Sequence, residues 1–397
     1  MIYNYHSYKL ISFLSACRNE AAFLSRLSAG RIFRRFYKKR LTRNRLFLLF
    51  NTKGMGMKIL IIRRDNIGDL VLTTPLIACI AHVYGTKVDV LVNTYNQSVL
   101  DNNPHIGRRH LYSKLHHRKP HQSALGVILR RLKTCVELRL ARYDVAIIAR
   151  EKWDKRPLQW ARLSGAKRVI AIGNNSPAAI TDLIPQPTER RHIVQLLAEL
   201  AKPIGVYREP GPLELYITAE EISFIQTRLS IPENLPVYGL QISARKPMQR
   251  WQAEKFVEIA QRLNQREKCH ILLFWSPGKT SNKEHPGDDN KAQQIIAALE
   301  GSFITAVETK SLRELMAAMS LCDQILTSDG GALHIAAGAG VPTVAMFGDS
   351  DAWFWGPWGV ANEMLEAPER NVGLLSVDEV YNRFIALRSR VLAHNQT

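Results

Sequence analysis

Short apolar runs alternate with helix-periodic stretches along most of this 397-residue chain. Apolar runs bounded by polar turns are typical of strands buried in a parallel sheet. In the first half, these runs predict strands at 58–63, 87–92, 143–149 and 168–172. The stretches between and after them predict helices over 69–82, over part of 123–142, and over 188–202.

A segment rich in proline and glycine, 203–212, precedes a second series of the same kind. Strands are predicted there at 237–242, 269–275, 324–327 and 343–347. Helices are predicted at 253–264, 290–299, 311–320 and 332–340. Strands that alternate with helices indicate a parallel, doubly wound α/β sheet in each half.

These patterns predict four parts in the chain. They are a basic N-terminal extension at 1–56, a Rossmann-like domain at 57–205, a second Rossmann-like domain at 206–376, and a C-terminal helix at 377–397. The C-terminal helix is expected to pack back on the first domain. Two domains of ordinary size fit the length of the chain.

Composition narrows the class of protein. Hydrophobic residues make up 46% of the chain, which is enough to form real cores. The five cysteines are scattered and include no CxxC pair, so neither a disulfide framework nor a zinc site is indicated. We expect a reducing, cytoplasmic compartment, with neither a spanning helix nor a signal peptide.

Positive charge is concentrated in two places. The formal net charge is +19, and residues 1–56 carry twelve lysines and arginines against one acidic residue, Glu20. A second stretch, 102–136, has eight lysines and arginines, five histidines and no acidic residue. Such concentrations indicate anionic partners, which include nucleic acid, anionic lipid and phosphorylated substrates.

The N-terminal extension contains a basic amphipathic stretch at 31–40. A helical projection puts Ile32, Phe33, Phe36 and Tyr37 on one face and most of the basic residues on the other. This pattern is typical of a helix that lies on an anionic membrane surface. The alternatives are a helix packed on the body of the protein, and translation that starts at Met55 or Met57.

The segment 326–359 contains the clearest candidate for a binding site. Asp329, Gly330 and Gly331 come where a strand ends, and His334 falls in the first turn of the helix that follows. Glycines let the backbone approach a ligand, and free N–H groups at a helix start favour an anion. We therefore expect a phosphate group to bind there. The alternative is an ordinary βαβ unit whose glycines only permit close packing.

This segment resembles the C-terminal signature of glycosyltransferase family 9, the heptosyltransferase family of lipopolysaccharide synthesis. The resemblance rests on Asp329-Gly330-Gly331 with His334, on Pro342-Thr343-Val344 with Phe347-Gly348, and on Gly356-Pro357-Trp358-Gly359. It implies a GT-B fold, with two Rossmann-like domains facing each other across a cleft. It also implies inverting transfer of a heptose from ADP-heptose to a lipid-linked lipopolysaccharide core, without a metal or other cofactor.

The first βα loop matches the family at Gly68-Asp69. The resemblance implies that Asp69 is the catalytic base of the first, acceptor-binding domain. Chemically, the acceptor hydroxyl must lose a proton as it attacks the anomeric carbon, and a carboxylate within about 3 Å can take it. The alternative for Asp69 is a helix-capping role. Asp65 in the same loop is a second carboxylate that could serve, and it is also a candidate acceptor-binding residue.

The second domain is expected to bind the nucleotide sugar. By resemblance, the candidates for donor binding are Ser243, Arg250, Trp275, Asp329, Gly330, Gly331 and His334, with Glu284 near the ribose. Arg250 stands where a lysine is common in the family. At Gly330 some family members have serine or threonine. This chain is therefore expected to bind the phosphate there through backbone N–H groups and His334.

The acid-free stretch lies in the first domain, so it supplies candidates for the anionic groups of the acceptor. These are Arg108, Arg109, Arg118 and Lys119; the alternative is a solvated basic surface. Asp349-Ser350-Asp351 has a spacing that binds cations in another class of glycosyltransferase, but this family is generally metal-independent. We expect no metal there or at Asp288-Asp289.

Three functional hypotheses follow. The first is the ADP-heptose transfer above, at the inner face of a bacterial inner membrane, with residues 1–56 on the anionic surface. The second keeps the family but changes the nucleotide-sugar donor or the acceptor. The third is a basic nucleic-acid-binding protein, which is disfavoured because the basic residues do not alternate with stacking aromatic residues. No nucleic-acid partner is expected.

Overall fold

The computed structural model describes residues 56–112, 124–175, 177–278, 287–299, 303–309 and 311–395. Almost all of the N-terminal extension lies outside these residues, as do Arg118, Lys119 and Glu284. The predictions made for them stay predictions.

The first half contains a six-stranded sheet whose paired strands all run parallel. Its strands are β1 (Ile59–Ile62), β2 (Val88–Asn93), β3 (Ile106–Tyr112), β4 (Val145–Ile148), β5 (Arg168–Ile172) and β6 (Asp182–Ile184). Its helices are α1 (Ile67–Val71), α2 (Thr74–Tyr84), α3 (Ala124–Ala141), α4 (Lys155–Ser164) and α5 (Ile193–Ala198). The central strands β1 and β4 are wholly buried, as expected for a sheet covered on both faces.

The second half contains another six-stranded parallel sheet. Its strands are β7 (Val237–Gln241), β8 (His270–Phe274), β9 (Ile304–Val307), β10 (Gln324–Ser328), β11 (Thr343–Phe347) and β12 (Asn362–Glu366). Its helices are α6 (Ala219–Leu229), α7 (Ala253–Glu267), α8 (Asp289–Ala298), α9 (Leu312–Ser320), α10 (Gly331–Gly338), α11 (Ala352–Trp355) and α12 (Val377–Asn395).

Both sheets have the same strand order. It is β3-β2-β1-β4-β5-β6 in the first and β9-β8-β7-β10-β11-β12 in the second. The chain therefore reverses its direction of travel between β1 and β4, and again between β7 and β10. Open α/β sheets bind ligands at such a switch point, outside the carboxyl ends of the strands. The predicted pair of Rossmann-like sheets is confirmed, and the loops after these four strands are the favoured places for a site.

The helix predicted over 69–82 is two helices, α1 and α2. Pro75 has no N–H to donate to the carbonyl of Val71, so a continuous helix would lose that bond. The Thr74 hydroxyl donates to the Val71 carbonyl instead, at 2.7 Å, and the Thr73 hydroxyl donates to the Asp69 carbonyl at 2.8 Å. The stretch Ile67–Tyr84 is long and apolar enough to cross a membrane by composition alone, but 72% of it is buried inside the fold.

The four strands that the sequence analysis missed are the four edge strands, β3, β6, β9 and β12. An edge strand keeps part of its surface in water, so its sequence lacks a continuous apolar run. In β3, for example, three exposed residues follow Ile106. Helices α4 and α6 were missed for a similar reason, because about half of the residues in each are polar.

Helix α12 packs on the second sheet, which differs from the expectation that it packs on the first domain. Phe384 is fully buried and meets Tyr238 edge to face, with ring centroids 5.0 Å apart. Gln324 Nε2 donates to the Phe384 carbonyl at 2.8 Å. Helix α12 therefore packs on α7, β11 and β12, and its apolar residues belong to the core of the second half.

Candidate active site

Asp69 and Arg63 form the centre of the first switch point. Arg63 follows β1, is only 1% exposed, and donates from Nη2 to Asp69 Oδ1 at 2.8 Å. Its Nη1 donates to the carbonyl of Ala149 at the end of β4. The backbone N–H of Asn66 donates to Asp69 Oδ2 at 2.9 Å, so Asp69 also caps the start of α1. The alternative capping role of Asp69 is therefore present in the structure, and its role as the base stays a prediction.

The electrostatic surroundings keep Asp69 ionised. Burial raises the pKa of Asp69, but Arg63 and the Asn66 N–H lower it by more, and the net shift is downward. A carboxylate whose pKa is lowered holds a negative charge at neutral pH and can accept a proton. Its side chain is 15% exposed, so one side of it reaches the solvent.

Asp65 is engaged in a different way. Its Oδ1 accepts from Arg150 Nη1 at 3.0 Å, and its Oδ2 lies 3.7 Å from Arg63 Nε. Arg150, which follows β4, also donates to Asp154 at 2.6 Å. Asp65 therefore orders the two arginines at the switch point. Sequence reasoning missed both arginines, although each lies within two residues of the end of an apolar strand.

Gly68 and His334 bring the two halves together. A Cβ added to Gly68 would lie 2.5 Å from His334 Cδ2 and 3.4 Å from the Gly331 Cα. Helices α1 and α10 therefore approach each other with no room for a side chain at Gly68. Asp69, the next residue along, is placed at the boundary with the turn that begins α10.

His334 is buried, with an exposure of 4%, and its Nδ1 has no hydrogen-bond partner among the described residues. Burial lowers the pKa of His334 strongly, and the attraction of Asp329 and Asp69 for the protonated ring offsets this only in part. The ring is therefore neutral at pH 7. A neutral imidazole can donate one hydrogen bond and accept another.

The turn before α10 differs from the expectation in one respect. Gly330 has φ 162° and ψ −174°, an extended conformation open to any residue, and a Cβ there would meet nothing within 4 Å. Glycine at this position is thus not required by the backbone. Asp329 Oδ2 accepts from Gln249 Nε2 at 2.8 Å, so a residue that the sequence analysis missed ties this turn to the loop after β7.

Ser243 and Trp275 lie at the ends of the adjacent strands β7 and β8. Ser243 Oγ accepts from the Ser276 N–H at 2.8 Å, and Trp275 Nε1 donates to Asp289 Oδ1 at 2.9 Å. Asp289 also accepts from the Gly278 N–H at 3.0 Å. These bonds build one continuous rim at the carboxyl edge of the second sheet.

Arg250 is already paired in this structure. Its Nε donates to the Ala244 carbonyl at 2.8 Å and its Nη1 to Asp288 Oδ1 at 3.2 Å, while Nη2 is buried without a partner. Behind it, the half-buried Lys291 donates to the carbonyls of Ile242 and Trp251 at 2.8 and 2.6 Å. Burial lowers the pKa of Lys291 to about 8. No sequence signal marked Lys291, a lysine in an amphipathic helix.

The aspartates that resemble metal motifs each have another partner. Asp349 pairs with Lys246 at 3.0 Å, and Asp351 pairs with Arg190 at 2.6 Å and caps α11. Among the described residues, a group with metal-ligand spacing is formed elsewhere. It consists of His82, His105 and Glu214, whose ligand atoms lie within 4.8 Å of one another.

The structure does not bring Arg108 and Arg109 to the edge that carries Asp69. They lie three to four residues before the end of β3, which is about 10–13 Å along a strand. Arg109 pairs with Asp101, and Arg108 is exposed. A cavity of about 440 Å³, lined by residues that include Arg190, Tyr207 and Trp353, contains none of the predicted site residues.

The site is thus split between two facing Rossmann-like halves. One half supplies an ionised carboxylate after its first strand. The other supplies a helix start, backbone N–H groups and cations at the corresponding strand ends. Two Rossmann-like domains with a site divided between their strand ends are the GT-B fold.

The chain belongs to glycosyltransferase family 9 (heptosyltransferase), whose family model matches residues 131–373. It is 24% identical over 310 residues to lipopolysaccharide heptosyltransferase 3 of Escherichia coli, covering 75% of this chain and 85% of that protein. The solved family 9 glycosyltransferase of Veillonella parvula is similar with a TM-score of 0.71 at 19% identity, covering 85% of this chain and 99% of that one. The structure of ADP-heptose lipopolysaccharide heptosyltransferase II of E. coli is similar with a TM-score of 0.68 at 21% identity, covering 84% of this chain and 99% of that one.

Proposed function

We propose that this protein is an inverting heptosyltransferase that moves a heptose from ADP-heptose to a lipid-linked lipopolysaccharide core acceptor. The observation that carries the proposal is the approach of Gly68 to His334, which sets Asp69 beside the turn at Asp329–Gly331. The family relationship supports lipopolysaccharide heptosyl transfer in general. The donor is favoured by the similarity to the E. coli structure, which is that of an ADP-heptose lipopolysaccharide heptosyltransferase.

In the proposed reaction, Asp69 takes the proton of the acceptor hydroxyl as its oxygen attacks the anomeric carbon. The bond to the diphosphate breaks on the opposite face of the sugar, so the configuration inverts in one displacement. The free N–H groups at the start of α10 and the cations near Ser243 stabilise the departing diphosphate. These groups carry the charge, so the proposed transfer uses no metal or other cofactor.

Arg63 has a defined part in this mechanism. Its bond to Asp69 Oδ1 fixes the carboxylate, while each carboxylate oxygen can still accept another hydrogen bond. The lowered pKa keeps the base ionised but makes it a weaker proton acceptor. The role of Asp69 rests on this geometry and on the Gly68-Asp69 resemblance, because the family match begins at residue 131.

We also propose that the protein lies on the inner face of an inner membrane, in the cytoplasm. Residues 1–56 remain the predicted contact with the anionic surface. The folded body offers a second one on α3, where Leu129, Leu132 and Val136 are each 57% exposed and Leu140 is 74% exposed. Their spacing places all four on one stripe, opposite the buried Leu138, and the exposed Lys133 and Arg139 flank it.

The proposal is tested with the full chain and its Asp69→Asn variant. The amide oxygen can still cap α1, but it cannot accept a proton, so transfer is expected to fall by about 10²–10⁴-fold. Binding of the donor should persist in the variant. Asp154→Asn is the matched control, because Asp154 pairs with Arg150 and does not contact Asp69. Equal turnover by Asp69→Asn and the wild type would refute the assigned base.

The donor is tested separately by thermal unfolding with a panel of nucleotide sugars. Stabilisation by ADP-linked sugars above UDP- and GDP-linked ones is expected, because a ligand that binds only the native state raises its stability. A preference for another nucleotide would leave the family assignment intact and would refute ADP-heptose as the donor.

A further inference from the structure

Arg64 is a buried cation for which the described residues provide no anion. It is 5% exposed, its Nε is buried without a hydrogen-bond partner, and it takes part in none of the ion pairs of the described residues. Its neighbour Arg63 binds Asp69 and Asp65, and Arg150 binds Asp65 and Asp154. A buried charge without a partner is strongly unfavourable, so a protein that retains one usually has a use for it.

The contact that Arg64 does make is with Tyr112, the last residue of β3. The guanidinium carbon of Arg64 lies 5.0 Å from the centroid of the Tyr112 ring. The guanidinium carbon of Arg131, from α3, lies at the same distance from the same ring, and Arg131 Nη2 donates to the Tyr112 hydroxyl at 3.3 Å. The two guanidinium carbons are therefore at most 10 Å apart, since each is 5.0 Å from one point.

The surrounding structure holds these groups in place. Tyr112 packs edge to face on the buried side chain of Trp160, with ring centroids 5.5 Å apart. The Thr134 hydroxyl donates to the Leu111 carbonyl at 2.9 Å, which fixes the helix that carries Arg131 against β3. A pair of cations on a fixed aromatic ring is a preorganised receptor for an oxyanion.

The position of the pair relates it to the reaction. β1 and β3 belong to one parallel sheet, so Arg64 and Tyr112 lie at its carboxyl edge, where Asp69 also lies. Arg64 is the neighbour in sequence of Arg63, and Arg63 contacts the proposed base, Asp69, at 2.8 Å. An anion on Arg64 would thus lie at the same edge of the sheet as Asp69.

We propose that Arg64, with Arg131 and Tyr112, forms a subsite for an oxyanion of the acceptor, a phosphate or a carboxylate on the sugar next to the reacting one. The guanidinium group of Arg64 binds two oxygens of such a group in a charge-assisted pair, which a lysine cannot reproduce. This assignment to the acceptor rests on the proposed function, whereas the oxyanion subsite itself does not.

Binding is measured first, with inorganic phosphate as the probe. The full chain is unfolded thermally with increasing phosphate at constant ionic strength, in the presence of saturating ADP so that phosphate cannot act at the donor site. Phosphate is expected to raise the Tm of the wild type and of Arg130→Gln, the exposed neighbour on α3, and not that of Arg64→Met. Without phosphate, Arg64→Met should unfold at an equal or higher temperature, because it removes an unpaired buried charge.

A merely structural arginine gives a different result. Arg64→Met would then unfold at a lower temperature without phosphate and would keep the phosphate response, and that outcome overturns the subsite. Arg64→Lys, which keeps the charge, should retain part of the response; a response equal to that of the wild type would overturn the bidentate contact.

Transfer then identifies the source of the oxyanion. With a phosphorylated acceptor, Arg64→Met should raise the KM for acceptor about tenfold or more and leave the KM for donor unchanged. Removing the phosphate from the acceptor should abolish this difference if phosphate is the group bound; a difference that persists assigns the subsite to a carboxylate. An equal acceptor KM for wild type and variant on both acceptors overturns the acceptor role. Failure of all transfer refutes the proposed function and leaves the phosphate-binding result to decide the subsite.

Discussion

Gly68 lies against the ring of His334, so close that a Cβ on Gly68 would stand 2.5 Å from His334 Cδ2. The two residues come from opposite halves of the molecule. Gly68 lies on α1, which follows the first strand of one sheet, and His334 lies on α10, which follows the fourth strand of the other in chain order. His334 is buried, so its ring has little room to move away. This contact sets the distance between the carboxylate of Asp69 and the turn that begins α10.

Gly68→Ala should therefore separate the two halves of the site. The methyl group forces α1 or the His334 ring to shift, and a misplacement of about 1 Å can lower catalysis by about 10²-fold. We expect kcat/KM to fall by about 10–100-fold while the protein remains folded. Gly211→Ala is the matched control, because a Cβ at Gly211 meets nothing within 4 Å. Equal losses in the two variants would show that the contact with His334 has no special effect.

Arg63→Met should change the dependence of activity on pH. Arg63 is a main cause of the lowered pKa of Asp69, and burial opposes it. Without Arg63 the burial remains, so the pKa of Asp69 rises. Since the base must be ionised, the acid limb of the kcat/KM profile moves to higher pH. Arg150→Met, which affects Asp65 and not Asp69, should leave that limb in place.

The same substitution should change acid stability. Because the folded pKa of Asp69 lies below its unfolded value, ionised Asp69 stabilises the native state above the unfolded value of about 3.9. This stabilisation is lost as pH falls through the folded pKa. Arg63→Met should reduce that part of the difference in free energy of unfolding between neutral and acidic pH. If the variant matches the wild type both in the acid limb of kcat/KM and in the pH dependence of the free energy of unfolding, the assigned role of Arg63 is contradicted.

Much of this site was predictable because central strands are easy to recognise. The runs that became β1 and β4 are apolar throughout, and those that became β7 and β10 are mainly apolar or buried. The residues that follow these four strands reach the functional edges by topology alone. Partners at a distance were not predictable. Nothing in the sequence links Arg63 with Ala149, Asp329 with Gln249, or Arg250 with Asp288, because these contacts arise only when separate strands come together.

The basic stretch 102–136 also has features that the sequence predicts and contacts that it does not. Its charge predicts an anionic partner, but the sequence did not reveal the edge strand β3 within it. Without that strand, Arg108 and Arg109 could not be distinguished from residues at the carboxyl end. The strand places them away from Asp69 and brings Tyr112 and Arg131 close to Arg64 instead.

Gly330→Ser should strengthen the binding of ADP. The site has an extended backbone and open space at the Cβ, so the serine fits without displacing a neighbour. Its hydroxyl would add one hydrogen bond to the diphosphate, which contributes about 0.5–1.5 kcal/mol, or about two- to tenfold in affinity. Calorimetry with ADP measures the change in affinity. Gly330→Ala is the control, because it adds the β-carbon without the hydroxyl. Similar affinities for the serine and alanine variants would exclude a diphosphate contact at this position.

The stripe on α3 can be tested in the full chain with vesicles of anionic phospholipid. The combined variant Leu129→Ser, Leu132→Ser and Leu140→Ser removes three exposed apolar side chains from a face opposite the core. Partition onto the vesicles should fall by at least about tenfold, since burying one such side chain contributes about 1.5–3 kcal/mol. Phe224→Ser is the control, because Phe224 is 60% exposed on α6 in the second half. If the triple variant binds vesicles as strongly as this control, membrane contact does not involve α3 and must be assigned to residues 1–56 alone.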